Sequence, residues 1–223
     1  MFCIPIISSD TDKAISKMQR AAPHADIFEI RLDLMESFDL KRICDFSIKP
    51  LMITYRSETE GGRGTADPET TAGYLIKGAK AGADYVDVEL NMPLNWRRKV
   101  LSSIVKGMSI ISTHINDSTP SRRELIDILN KSAETGADII KIVTMAHNWE
   151  DNFRILELIP IAKKADVKII AFCMGPMGKI SRIISLLMGS YLGFSSIEEG
   201  EESASGQIPI DEMKRILEYF KSC

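Results

Sequence analysis

Eight short runs rich in β-branched residues recur along the 223-residue chain, separated by stretches of mixed charge. The runs are Phe2–Ile7, Ile27–Leu32, Leu51–Arg56, Tyr85–Leu90, Met108–His114, Ile139–Thr144, Val167–Cys173 and Tyr191–Ser195. Helical patterning fills the gaps, at Thr11–Ala22, Pro68–Ala81, Asn95–Lys106, Ser121–Glu134, Asn148–Lys164 and Asp211–Lys221. Short apolar runs alternating with helices are the mark of parallel strands covered on both faces. Local signals agree. Ser121 with Glu124 three residues on predicts a capped helix start, and Asp67-Pro68 predicts another. Gly82 and Gly136 each precede an Ala-Asp pair and predict helix exits. The alternation predicts an α/β fold, a (β/α)8 TIM barrel, in a single domain over residues 1–223. A doubly wound open sheet is the alternative. It usually carries a glycine-rich first turn, and none follows Ile7.

Composition narrows the class. The chain is 44% hydrophobic and 26% charged with a net charge of -3, the balance of an ordinary globular protein rather than a nucleic-acid binder. No apolar run approaches the ~20 residues of a membrane span, and the N-terminus lacks the pattern of a signal peptide. Cys3, Cys44, Cys173 and Cys223 lie far apart without metal-site spacing, so we expect reduced thiols in a cytoplasmic protein.

Polar residues fall in a pattern within the strands. Period two places Glu29, Arg31 and Asp33 on one face, Thr54 with Arg56, Asp87 with Glu89, and Ser112 with His114. On the sixth run Ile139, Lys141 and Val143 share a face. In this barrel catalytic groups collect at the C-terminal strand ends. A core would not bury charge on five strands without a ligand or reaction to serve. A strand-borne lysine is costly to bury as a cation, and its neutral amine can attack a carbonyl to form a Schiff base. Histidine on the preceding strand supplies an acid/base that titrates near neutrality. Arg31, Arg56 and Arg182 offer paired hydrogen bonds to a carboxylate. The inventory predicts an imine-mediated lyase or aldolase acting on a polyhydroxylated keto acid.

With these residues in view, the chain resembles the type I 3-dehydroquinate dehydratases. The resemblance is carried by Glu29-Ile30-Arg31-Leu32-Asp33, Thr54-Tyr55-Arg56 with Glu60-Gly61-Gly62, and Tyr85-Val86-Asp87-Val88-Glu89-Leu90. It continues through Ser112-Thr113-His114, Thr119-Pro120, Gly136 to Lys141, Met174-Gly175 through Ser181-Arg182, and Ser203-Ala204-Ser205-Gly206-Gln207. The resemblance implies a shikimate-pathway enzyme that dehydrates 3-dehydroquinate to 3-dehydroshikimate through a lysine Schiff base, with no metal or organic cofactor. It implies Lys141 as the Schiff-base lysine, His114 as general acid/base, and Glu60 as the carboxylate that orients the histidine. Glu29, Arg31 and Arg56 match substrate-binding positions. Arg182 matches the arginine that grips the substrate carboxylate, and Ser203 and Gln207 match a loop that folds over substrate. Some members use an N-terminal serine as well. Ser8 and Ser9 are both candidates, and we expect Ser8. The expected partners are the small-molecule substrate and a second copy of the chain in a homodimer, with no nucleic acid and no membrane.

The chain departs from the family pattern at Thr113, where an aromatic residue is common, at Ile115-Asn116, and at Ser205, which replaces a usual proline. His24 is expected to be exposed and inert in a helix-exit loop, and His147 is expected at a helix start. Cys173 is expected to fill core. A class I aldolase or transaldolase is the alternative reading, though it typically wants a phosphate site after strands seven and eight. A non-catalytic binding barrel is a third, and it has no use for His114 and Lys141 together.

Overall fold

In the computed structural model, which describes residues 1–221, the strands are β1 (Phe2–Ile6), β2 (Ile27–Arg31), β3 (Leu51–Thr54), β4 (Tyr85–Glu89), β5 (Met108–Ile115), β6 (Ile139–Met145), β7 (Lys168–Met174) and β8 (Gly193–Phe194). They form one sheet in the order β7-β6-β5-β4-β3-β2-β1-β8. The helices are α1 (Thr11–Ala21), α2 (Leu40–Phe46), α3 (Pro68–Ala81), α4 (Leu94–Ser103), α5 (Arg122–Ala133), α6 (Trp149–Leu156), α7 (Leu158–Lys164), α8 (Lys179–Met188) and α9 (Ile210–Lys221). Strand and helix alternate as in a (β/α)8 barrel, the predicted fold class. Cys223 lies outside the described residues.

The chain groups into two compact units. One is Ile4–Thr113, and the other combines Met1–Cys3 with the chain from His114 onward. In the first, β2 pairs parallel with β3, β3 with β4 and β4 with β5. In the second, β6 pairs with β7 along seven positions, from Ile139↔Lys168 to Met145↔Met174. There the first residues of β1 also pair with β8, Phe2 with Gly193 and Cys3 with Phe194.

Capping follows the predicted chemistry. Ser121 and Glu124 form a reciprocal capping box at α5, and Asp67 accepts from the Thr70 backbone N–H at the start of α3. The predicted helix over 148–164 divides at Glu157 into α6 and α7. Pro160 has no N–H to give to the Leu156 carbonyl, so the ladder of α6 cannot run on. The eighth strand is shorter than predicted. Only Gly193 and Phe194 are strand residues, although Tyr191 N–H donates to Ile169 O on β7 and Ser195 N–H to Cys3 O on β1. The short helix α2 was not among the predicted elements.

Faces of β6 and β7 separate by period two. Ile140, Ile142, Ile169, Ala171 and Cys173 pack with Leu125, Leu129 and Ile155 from the surrounding helices. Each buried isoleucine or leucine among them contributes about 1.5–3 kcal/mol of transfer free energy. That packing leaves Lys141, Val143, Ile170 and Phe172 on the opposite face. Among the described residues no helix is long and apolar enough to cross a membrane.

Candidate active site

In the Ile4–Thr113 unit, buried charge converges on Arg56, which follows the end of β3 and is 4% exposed. Its Nη2 donates to Asp87 Oδ1 at 2.7 Å, and its Nη1 donates to Ser112 Oγ at 2.9 Å, Glu89 Oε1 at 3.1 Å and Glu60 Oε2 at 3.3 Å. Ser112 donates in turn to Asp87 Oδ1 at 2.6 Å. Burial by itself would lower the pKa of Arg56, but Asp87, Glu89 and Glu60 outweigh it and raise the value. The Glu60-Gly61-Gly62 segment folds back on this arginine. The Gly62 N–H donates to Ser57 O, and a Cβ at Gly62 would stand 2.1 Å from Arg56 O. Only glycine tolerates that approach.

Glu29 and Arg31 lie on β2 as predicted. Glu29 accepts from Thr54 Oγ1 at 2.9 Å. Arg31 is committed to Asp33 through a two-point pair, Nε to Oδ1 at 2.9 Å and Nη2 to Oδ2 at 2.8 Å. Burial opposes the charge on both, yet this bond raises the Arg31 pKa and lowers that of Asp33. Ser8 and Ser9 separate clearly. Ser9 exchanges hydrogen bonds with Asp10 and Lys13 at the start of α1, whereas the buried Ser8 Oγ has no partner.

The second unit holds His114, Lys141, Arg182, Ser203 and Gln207. Lys141, midway along β6, is 4% exposed, and its Nζ lies 4.4 Å from the centre of the Phe194 ring. Phe194 packs against Phe172 with centroids 6.1 Å apart, and the Arg182 guanidinium lies 4.4 Å over Phe172. Two aromatic rings therefore bridge the lysine and the arginine. Arg182, in the first turn of α8, is 3% exposed. Its Nη2 donates to Ser205 O at 3.1 Å, its Nε has no partner, and none of the ion pairs among the described residues engages it. Burial without a nearby carboxylate lowers its pKa to about 10. His114 is half-buried near the end of β5.

The loop after β8 is closed by a reciprocal pair. Ser203 N–H donates to Gln207 Oε1 at 2.8 Å, and Gln207 Nε2 donates to Ser203 Oγ at 2.9 Å. Ser205 also accepts from the Gly175 N–H at 3.2 Å. Gly206, at φ 79°, crosses so near that turn that a Cβ would lie 2.3 Å from Gly175 O.

Phe172 and Phe194 are not among the candidates read from the sequence, because no charged residue stands beside either of them in its run to mark a face. His147 and Cys173 fit their expectations, and His24 fits in place but not in exposure. His147 is exposed, with Nε2 2.7 Å from Asp117 O and its backbone N–H on Asp151 Oδ2. His24 lies in the turn that leaves α1, as expected, but is half-buried rather than exposed. Cys173 is buried, with Sγ 3.2 Å from Thr144 Oγ1.

The fold and these buried cations define a (β/α)8 enzyme. A family model described as type I 3-dehydroquinase matches residues 2–222. A 3-dehydroquinate dehydratase from Methanococcus maripaludis strain S2 is 38% identical over 99% of this chain and 100% of its own length. One from Methanocaldococcus jannaschii is 36% identical over 97% of both chains. Among solved structures, a type I 3-dehydroquinate dehydratase from Clostridium difficile with covalent modified comenic acid superposes with a TM-score of 0.88. It is 29% identical, over 100% of this chain and 92% of that one. A 3-dehydroquinate dehydratase from Geobacillus kaustophilus gives 0.89 at 26% identity, over 99% and 91%. The chain belongs to the type I 3-dehydroquinase family, and it is a hydro-lyase.

Proposed function

We propose that the chain dehydrates 3-dehydroquinate through a Schiff base on Lys141. The observation that carries this reading is the pairing, across two phenylalanine rings, of a buried lysine with a buried arginine that has no carboxylate of its own. A buried guanidinium without a counter-ion is costly, and a substrate carboxylate relieves that cost.

In the proposed sequence the Lys141 amine adds to the substrate ketone and the carbonyl oxygen leaves as water, giving the iminium. The iminium acidifies the adjacent C2–H. His114 removes that proton and returns one to the C1 hydroxyl, which departs as a second water. Hydrolysis of the imine consumes one water and frees Lys141 with 3-dehydroshikimate, for a net loss of one water. In this reading Arg182 holds the carboxylate, Glu60 orients His114, and Glu29, Arg31, Arg56, Ser8, Ser203 and Gln207 bind substrate. Within the Ile4–Thr113 unit, Arg31 keeps only Nη1 clear of the Asp33 pair, so that atom is its contact to substrate. The covalent modification in the Clostridium difficile relative supports covalent chemistry in the family. The reading also makes residues 1–223 one catalytic domain of a cytoplasmic homodimer in the shikimate pathway.

Borohydride reduction in the presence of 3-dehydroquinate tests the mechanism. An adduct mapped by mass spectrometry to Lys141, and absent from Lys141→Ala, is expected. A folded wild type with no adduct would overturn it.

A further inference from the structure

The geometry points to Ser181 as a positioning residue that aims Arg182 at the substrate carboxylate. The inference rests on the reading of Arg182 given above. Ser181 is fully buried in the first turn of α8. Its Oγ accepts the Cys173 N–H at 2.8 Å and donates to Gly178 O at 2.7 Å. One hydroxyl therefore joins the end of β7, the turn that follows, and the helix that carries Arg182.

The chain neighbours of the two joined residues give the bond its consequence. Cys173 follows Phe172, and Ser181 precedes Arg182, so the Ser181–Cys173 bond sets the separation of guanidinium and ring, 4.4 Å in this structure. Little else restrains the arginine. Its Nε has no partner, and its Nη2 reaches only a backbone carbonyl in the loop after β8. Ser185, one turn along α8, makes the contrast: its hydroxyl bonds to Arg182 O within the same helix and ties that helix to nothing outside. Removing the Ser181 hydroxyl strands the buried Cys173 N–H, and the first turn of α8 must shift to rehydrate or re-pair it. Arg182 shifts with it.

A positioning role separates from a structural one by its dependence on substrate charge. For Ser181→Ala, KM for 3-dehydroquinate should rise about tenfold, an effect expected of misplacement rather than loss of a binding group, with kcat held. The C1 carboxamide analogue gives Arg182 no carboxylate, so its KM and its borohydride-trapped yield should not move. Ser181→Thr, which restores the hydroxyl, should recover the acid KM. In an Arg182→Gln background, Ser181→Ala should add nothing further. Equal losses for acid and amide, an unchanged acid KM, or an additive loss in the Arg182→Gln background would each overturn the inference. Ser181→Cys keeps the volume with a weaker hydrogen bond and is read in the same way should the alanine variant not fold. If Arg182→Gln itself spares the acid, the carboxylate reading fails and takes this inference with it. If Arg182→Gln costs the acid and Ser181→Ala does not, the inference alone fails.

Discussion

Lys141 Nζ stands 4.4 Å from the centre of the Phe194 ring. A ring face attracts the ammonium, and so holds the side chain in place. Phe194→Leu keeps apolar volume and removes the π face. We expect it to fold, to form the reduced adduct on Lys141 more slowly, and to lose about tenfold in kcat, on the scale of a ~1–2 kcal/mol cation–π contact. Stopped-flow trapping with borohydride checks this, and an unchanged trapping rate rules it out.

Arg182 should trade stability for binding. Its charge is buried without a carboxylate, so Arg182→Met is expected to raise the stability of the ligand-free protein by about 1–3 kcal/mol while abolishing preference for the acid substrate. The pH dependence has a definite sign. Burial sets the folded pKa at about 10, below its ordinary value, so the unfolded chain binds more protons above that pH. The wild type should therefore gain stability relative to Arg182→Met as pH rises through about 10. Denaturant titrations of both proteins from pH 8 upward measure the difference, and parallel curves would contradict it.

Arg56 is the opposite case, one guanidinium against Asp87, Glu89 and Glu60. Arg56→Met removes that guanidinium from three carboxylates, at a cost of about 3–5 kcal/mol. Protonation relieves the repulsion, so part of the loss should return as pH falls from 7 to 5. Thermal melts across that range suffice, and a deficit that stays constant with pH counts against the network.

His114→Ala should keep imine formation and lose turnover, because the proposed histidine acts after the carbonyl has been captured. Loss of a general acid/base costs on the order of 10²–10⁴-fold. Single-turnover trapping should show adduct at wild-type yield with product greatly delayed. Turnover at the wild-type rate would remove His114 from the mechanism.

Much of this was readable from residue order because strand period two is rigid. Once Ile140 and Ile142 face the helices, Lys141 must face the other way, and the alternation of apolar runs leaves few folds open. Other features depend on tertiary geometry that no local pattern encodes. Arg31 and Arg56 look alike in sequence, yet one is locked to Asp33 two residues away and the other gathers carboxylates from β4 and the turn after β3. Ser8 and Ser9 were indistinguishable until the side chains of Asp10 and Lys13 were placed on Ser9. The break at Glu157 was legible in Pro160, but periodicity over the longer stretch concealed it.

The pairing of Cys3 with Phe194 joins β1 to β8, two strands that leave the ribosome far apart in time. Until translation reaches β8, Phe2 and Cys3 have no strand to pair with there, and the ring beneath Lys141 has not yet been synthesised. The lysine microenvironment therefore matures only after β8 has emerged. A nascent chain arrested before Phe194 should carry Lys141 with no covalent trapping competence.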